Sequence, residues 1–139
     1  YTSLLLGNTS KIEYARLNTV EGFEVDMYGS CALSNDKGQV VQVSFGMDND
    51  YRCNLEVWGS KGTLRSGRIL TAPEGFVPSY TISRNGEITE GNFSADDAFL
   101  KSIQWFEDCV ASEEVREENY HILMKQAELV EEFKDKLNH

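Results

Sequence analysis

Residues 55–64 read LEVWGSKGTL, an apolar and aromatic run that is interrupted by Gly59-Ser60-Lys61-Gly62 and resumes with Thr63-Leu64. Such a stretch can be a phosphate-binding loop or a turn between two strands. A P-loop requires the spacing G-x-x-x-x-G-K-[ST] before a helix, whereas here the spacing is G-x-x-G and strand-forming residues follow. Gly59 and Gly62 are therefore predicted to be structural turn residues of a β-hairpin.

Strand-like segments continue on both sides of this hairpin, from about Lys11 to Phe93. Turn signals separate them at Asn35–Gly38 and at Asn85-Gly86, the latter a strong hairpin signal. Within the segments, apolar residues alternate with polar ones: Phe23, Val25, Met27, Cys31 and Leu33, then Val41, Val43, Phe45 and Met47, then Tyr51, Cys53, Leu55 and Val57. One face of the predicted sheet is therefore apolar and the other polar.

Helical spacing dominates the two ends of the chain. Residues 1–7, YTSLLLG, resemble the last turns of a helix that Gly7 closes. Ser94 is predicted to be the N-cap of a second helix, with Asp97 completing the capping box. Two apolar stripes follow and are expected to be core: Phe99, Ile103, Phe106 and Val110, then Val115, Ile122, Leu129, Phe133 and Leu137. The predicted fold class is α+β, a single domain over residues 1–139 with an open, mainly antiparallel sheet and helices on one face.

Composition limits the partners and the compartment. Acidic residues outnumber basic residues 23 to 13, a charge balance that repels nucleic acid. No apolar run is long enough for a membrane span. The cysteines at 31, 53 and 109 show no C-x-x-C spacing, which favours a reducing, cytoplasmic setting. Because the first residue is Tyr1 rather than Met, the chain is expected to be a piece of a longer protein.

Motifs for catalysis are missing from the sequence. It contains no G-x-G-x-x-G, and no Ser-His-Asp order is compelling with two histidines. Glu117 and His121 stand one helical turn apart, but on an acidic helix this spacing is far more often a surface contact than a metal site. No catalytic, cofactor-binding or metal-ligating residue is therefore predicted.

Two sets of side chains are candidates for binding. The polar cluster Asp48–Tyr51 lies at a predicted turn and, with scattered cations at Arg65, Arg68 and Arg84, could contact a sugar or a phosphate; the same cluster is also ordinary turn chemistry. Asn49 and Tyr51 are its candidate substrate-binding residues. Tyr28 and Trp58 fall on the polar side of the alternation and are predicted to anchor an interface with a second copy of the chain. The alternative is a solvated sheet face that carries two isolated aromatic residues.

Three segments together resemble a known family: Gly38–Phe45, GQVVQVSF; Tyr51–Leu64, which contains LEVWGSKGTL; and Asp97-Ala98-Phe99, which opens a helix. They are similar to the C-terminal domain of the glucose-fructose oxidoreductase, inositol dehydrogenase and rhizopine-catabolism (Gfo/Idh/MocA) oxidoreductases. The resemblance covers nearly the whole chain and rests on structural positions, most specifically residues 55–64.

The resemblance implies a parent enzyme that uses NAD or NADP to oxidise or reduce a sugar or cyclic polyol. An N-terminal Rossmann domain would bind the nicotinamide, so the chain itself is expected to bind no cofactor, while its sheet would shape the substrate pocket and build a homo-oligomer. The family's catalytic lysine lies in an E-K-P motif, which this sequence lacks. The alternatives are a non-catalytic dimerisation or ligand-binding module of the same fold and a relative that has lost its chemistry.

Overall fold

The computed structural model describes residues 1–137, and in this range the chain forms three helices and seven strands. They are α1 (Thr2–Leu6), β1 (Lys11–Thr19), β2 (Asp26–Ser34), β3 (Val40–Gly46), β4 (Leu55–Gly59), β5 (Gly62–Ser66), β6 (Ser79–Arg84), β7 (Glu87–Asn92), α2 (Ala98–Ala111) and α3 (Glu113–Leu137). All strand pairs within the sheets are antiparallel. The predicted α+β class is confirmed.

The strands form two sheets, ordered β1-β2-β3 and β4-β5-β6-β7. Two compact units contain them: the first is Tyr1–Asn49 with the segment from Ser112 onward, and the second is Asp50–Ala111. Alternation along each strand predicted which residues share a face, but strands remote in sequence were expected to share one sheet. The strands divide into two sheets because sheet membership depends on which strands pair with each other. Period-two alternation along one strand does not encode that pairing.

In the first unit, α3 packs across β1 and supplies the core of this layer. Leu129 is only 6% exposed and Phe133 packs beside it, as the second apolar stripe predicted. Ile122 and Leu137 of the same stripe are 47% and 36% exposed, so the expectation that they are core is wrong. The core consists of Leu6, Ile12, Ala15, Leu33 and Leu129, with Cys31, Val41 and Val43 packed against it. The Ile12 amide also donates a 2.9 Å hydrogen bond to a carboxylate oxygen of Glu132, which ties the helix to an edge strand.

The first helix ends where the sequence predicted. Gly7 follows α1 with a φ of 74°, and its amide donates to the Ser3 carbonyl at 2.8 Å. A positive φ at this position favours glycine, because a Cβ would be strained there.

In the second unit, Gly59 and Gly62 pair across the β4–β5 hairpin, with Ser60 and Lys61 forming the turn. The next hairpin, between β6 and β7, turns at Asn85 and Gly86, whose φ values are 52° and 85°. Both central residues therefore have the positive φ that a two-residue type I′ turn requires.

The second helix differs from the prediction at its start. It begins at Ala98, and its cap is Asp97, whose carboxylate accepts a 2.9 Å hydrogen bond from the Leu100 amide. Ser94 is therefore not the N-cap. An Asp directly before the first helical residue can satisfy the free amides, so the helix begins later than the Ser-based prediction.

The apolar stripe of α2 is also exposed rather than buried. Phe99 is 80% exposed, and Ile103, Phe106 and Val110 are more than half exposed. The expectation that this stripe is core in the chain is therefore wrong, because helical periodicity identifies an apolar face but not what covers it. No helix in the described part of the chain is long and apolar enough to cross a membrane.

Candidate functional site

A groove of about 440 Å³ lies in the second unit, where β4 begins and β5 ends. Pairing of Leu55 with Ser66 brings the two lining segments together, and a parallel bridge between Cys53 and Arg68 continues the contact beyond the hairpin. Ser66 is buried and donates from its hydroxyl to the Ser79 carbonyl at 2.8 Å, which fixes one wall to β6. The lining residues are Tyr51, Arg52, Cys53, Asn54, Leu55, Glu56, Arg65, Ser66 and Gly67.

The Arg68 guanidinium contacts two aromatic rings beside this groove. Its central carbon is 5.2 Å from the ring centre of Tyr51, which lines the groove, and 5.4 Å from that of Phe76. The Nε–H group donates to the Thr71 carbonyl at 3.3 Å, and the Thr71 hydroxyl is hydrogen-bonded to the Tyr51 hydroxyl. Two cation–π contacts together with a hydrogen bond restrict the orientation of a guanidinium group.

The segment that contains the groove carries positive charge in a strongly acidic chain. Residues 51–72 contain four basic side chains and one acidic side chain, a net +3, whereas the whole chain has a formal charge of -10. One base is neutralised locally, because Arg65 pairs with the carboxylate of Glu56 at 2.9 Å. The Arg65 guanidinium, and after it the Trp58 indole N–H, holds the pKa of Glu56 below its ordinary value. Of the two arginines in the groove lining, Arg52 has no ion-pair partner among residues 1–137.

Cys53 has an environment unlike that of the other strand cysteine. A hydrogen bond from the Thr71 side chain is the largest influence on the Cys53 thiol and lowers its pKa, and the Leu70 backbone and Tyr51 side chain act in the same direction. Burial instead raises the pKa of Cys31. Cys53 therefore forms a thiolate at lower pH than Cys31.

The sequence-predicted residues are distributed between the two units. Tyr51 lines the groove. Asn49 belongs to the first unit, where its side-chain nitrogen would be 2.9 Å from a Cβ placed on Gly46. The predicted interface residues Tyr28 and Trp58 lie on β2 and β4, which belong to different sheets, so no single sheet face carries both. Their exposed fractions are 45% and 80%.

Sequence reasoning did not identify Phe76, Thr71 or Cys53 as members of the site. Arg68 was noted only as one of several scattered cations. The signal in the sequence is weak, because an arginine and an aromatic residue separated by a Pro-Gly-containing loop have no fixed spacing. Among residues 1–137, no group of three or more His, Cys, Asp or Glu side chains is arranged to hold a metal ion.

Comparison with known proteins gives relatives of one activity. The chain is 32% identical over 128 residues to a dTDP-3,4-didehydro-2,6-dideoxy-α-D-glucose 3-reductase of Actinomadura kijaniata, an alignment that covers 92% of this chain and 39% of that protein. A reductase of the same name from Saccharopolyspora spinosa is 32% identical over 82 residues, which is 59% of this chain and 25% of the reductase. No family model matches the chain.

A solved structure extends the match to nearly all of the fold. It is a lysine-to-alanine variant of a 3-ketoreductase from Actinomadura kijaniata in complex with TDP-benzene and NADP. The TM-score is 0.87 at 31% identity, and the match covers 98% of this chain and 43% of that chain. These relatives are dTDP-sugar 3-ketoreductases of the Gfo/Idh/MocA fold, in agreement with the resemblance seen in the sequence. The chain spans about two fifths of their length.

Proposed function

We propose that the chain is the C-terminal, substrate-side domain of an NADP-dependent ketoreductase that acts on a deoxysugar linked to thymidine diphosphate. The observation that carries this proposal is the match over 98% of the chain to a 3-ketoreductase in complex with NADP and a TDP ligand. At 31% identity the similarity extends beyond the fold alone to a shared ancestry. The match supports a nucleotide sugar as the substrate and a keto group as the group that is reduced. This proposal is more specific than the sugar oxidoreductase expected from the sequence.

The architecture indicates which part of the parent protein would bind the nicotinamide and which would bind the substrate. Dinucleotides bind at the carboxyl ends of parallel strands in a doubly wound sheet, and both sheets in the described part of this chain are antiparallel. Nicotinamide binding is therefore assigned to a Rossmann domain in the remainder of the parent. The present chain would hold the nucleotide part of the substrate, so that the sugar carbonyl meets the nicotinamide in one orientation.

The chemistry is a two-electron reduction of a ketone to an alcohol. NADPH would supply the hydride to the carbonyl carbon, and a proton donor would supply H⁺ to the carbonyl oxygen. The proton is assigned to the rest of the parent, because the lysine that the family resemblance implies for this step lies in an E-K-P motif that this sequence lacks. The proposed contribution of the groove is binding of the substrate.

The test uses the full-length gene product with NADPH and dTDP-3,4-didehydro-2,6-dideoxy-α-D-glucose. We expect consumption of NADPH, measured by absorbance, and a product heavier by two hydrogen atoms, measured by mass spectrometry. dTDP alone is the matched control and should consume no NADPH. Tight dTDP binding with no reduction of any dTDP-linked keto sugar would contradict the proposal and support the non-catalytic ligand-binding module.

A further inference from the structure

We infer that Arg68, in cation–π contact with Tyr51 and Phe76, forms with Arg52 a phosphate-binding subsite for the diphosphate of the nucleotide sugar. The inference rests on the proposed function for the identity of the ligand, but its geometry is independent of the reaction. The groove volume of about 440 Å³ lies in the range of small-molecule sites. Cys53, next to Arg52 in the chain, forms a backbone bridge with Arg68. The backbone positions of the two arginines are therefore close together.

The orientation of Arg68 suits recognition of an oxyanion. The guanidinium carbon lies 5.2 and 5.4 Å from the Tyr51 and Phe76 ring centres, and the Nε–H donates to the Thr71 carbonyl. The terminal amino groups are then the donors that remain for a ligand. A planar pair of N–H donors matches two phosphate oxygens. Because the side chain is already ordered in the free protein, little conformational entropy is lost on binding.

The charges around the two arginines also favour an anion. Among residues 1–137, no carboxylate lies within ion-pair distance of Arg52 or Arg68. Arg65, which lines the same groove, is instead paired with Glu56 at 2.9 Å. Two exposed guanidinium groups without a carboxylate partner, one in the groove lining and one in contact with the lining residue Tyr51, attract a group that carries more than one negative charge.

A purely structural role for Arg68 makes a different prediction. If Arg68 only stabilised the loop through its contacts with the Tyr51 and Phe76 rings, its replacement would lower the melting temperature and leave ligand affinity unchanged. If it binds phosphate, affinity would fall while the fold persists, because the side chain is exposed. Arg68→Lys keeps the charge but removes the planar pair of donors, and Phe76→Leu removes one ring without touching charge.

The experiment measures dissociation constants of dTDP and NADPH by calorimetry on the full-length protein, with melting temperatures recorded for every variant. We expect Arg68→Gln to weaken dTDP binding about 10- to 100-fold and to leave NADPH binding unchanged. Arg68→Lys and Phe76→Leu should give smaller losses. Arg84→Gln is the matched control, since Arg84 ends β6, outside the groove lining, and should bind dTDP like the wild type.

The outcomes separate this inference from the proposed function. Loss of NADPH rather than dTDP affinity would assign the same phosphate subsite to the nicotinamide nucleotide. Wild-type affinity for both ligands in folded Arg68→Gln and Arg68→Lys proteins would overturn the inference, even if the wild type reduces the keto sugar. Conversely, a wild type without reductase activity that loses dTDP binding on Arg68→Gln would refute the proposed function and leave the subsite standing.

Discussion

The side-chain amide of Asn35 donates a 2.9 Å hydrogen bond to the main-chain carbonyl of Leu6, and the contact is buried. The same amide nitrogen donates to the Gln39 side chain at 2.8 Å, and the Asn35 oxygen accepts from the amides of Lys37 and Gln39 at 3.1 and 3.0 Å. All four hydrogen-bonding positions of the side chain are used. One turn residue thus fixes both the β2–β3 connection and the end of α1.

Asn35→Ala should therefore destabilise the 139-residue chain by about 3 kcal/mol. The loss arises mainly because the buried Leu6 carbonyl is left without its donor, whereas the Lys37 and Gln39 amides can be hydrated. Asn35→Asp keeps the accepting oxygen and should lose nearly as much stability. Denaturant unfolding measures both, with exposed Asn8→Ala as the control. Equal midpoints for Asn35→Ala and Asn8→Ala would show that the buried bond contributes nothing.

The two glycines of the β4–β5 hairpin should differ in their sensitivity to substitution. Gly62 has a φ of 148°, and a Cβ there would lie 2.6 Å from the Ser83 carbonyl oxygen of the neighbouring strand. Gly62→Ala should cost about 2 kcal/mol of unfolding free energy. A Cβ on Gly59 would meet its nearest atom at 3.6 Å without a positive φ, so Gly59→Ala should change stability by less than about 1 kcal/mol.

Thermal or denaturant unfolding of the two alanine variants provides the measurement, and each serves as the control of the other. The sequence predicted a turn at both positions but could not separate them, because their difference arises from β6, which approaches Gly62 from elsewhere in the chain. Equal losses in the two variants would contradict the role assigned to this approach.

Local patterns accounted for most of the elements but not for their partners. Alternation from Lys11 onward predicted strands, and Asn85-Gly86 predicted a hairpin that the structure contains, because both signals depend on neighbouring residues. The exposed stripe of α2 and the division into two sheets were not predictable in this way. Both depend on which surfaces meet in three dimensions, and a hydrophobic pattern does not specify the surface that covers it.

The candidate site shows the same limit. Tyr51 was identified because a polar and aromatic cluster at a turn is a local feature. Its stacking with Arg68 is a tertiary contact created when the segments on either side of the β4–β5 hairpin are brought side by side. The charge of residues 51–72 is the one property of the site that a window along the sequence can reveal.

The thiol of Cys53 should react with iodoacetamide at lower pH than that of Cys31. Thr71 lowers the pKa of Cys53 and burial raises that of Cys31, and only the thiolate is nucleophilic. At neutral pH Cys53 therefore has the larger thiolate fraction, and the midpoint of its rate–pH curve should lie below that of an ordinary thiol. Peptide mass spectrometry after timed alkylation measures both rates on one sample.

Two further variants assign the cause of this difference. Thr71→Val should move the Cys53 midpoint to higher pH, because the hydrogen bond to sulfur is removed. Thr89→Val, at an exposed position on β7, should leave it unchanged. Faster alkylation of Cys31 than of Cys53, or an unaltered profile in Thr71→Val, would contradict the assignment to Thr71.

The last prediction concerns assembly with a second copy of the chain. Tyr28 stands opposite Gly46 in the β2–β3 pair, and Ser30 stands opposite Ser44, so small side chains surround an aromatic ring that is 45% exposed. Trp58 presents an 80% exposed ring on the other sheet, with its indole N–H bonded to Glu56. A flat surface with a protruding aromatic residue suits a self-complementary contact between two copies.

Because Tyr28 and Trp58 lie on different sheets, each is a separate test of this interface. Tyr28→Glu and Trp58→Glu should each lower the mass measured by light scattering. At a two-fold interface the new carboxylate would be buried near the same carboxylate of the second chain, without a cation to pair with. Asn8→Glu adds the same charge at an exposed turn and should keep the wild-type mass. A change in only one variant would confine the interface to that sheet. A wild-type protein that is monomeric at micromolar concentration would refute the predicted homo-oligomer.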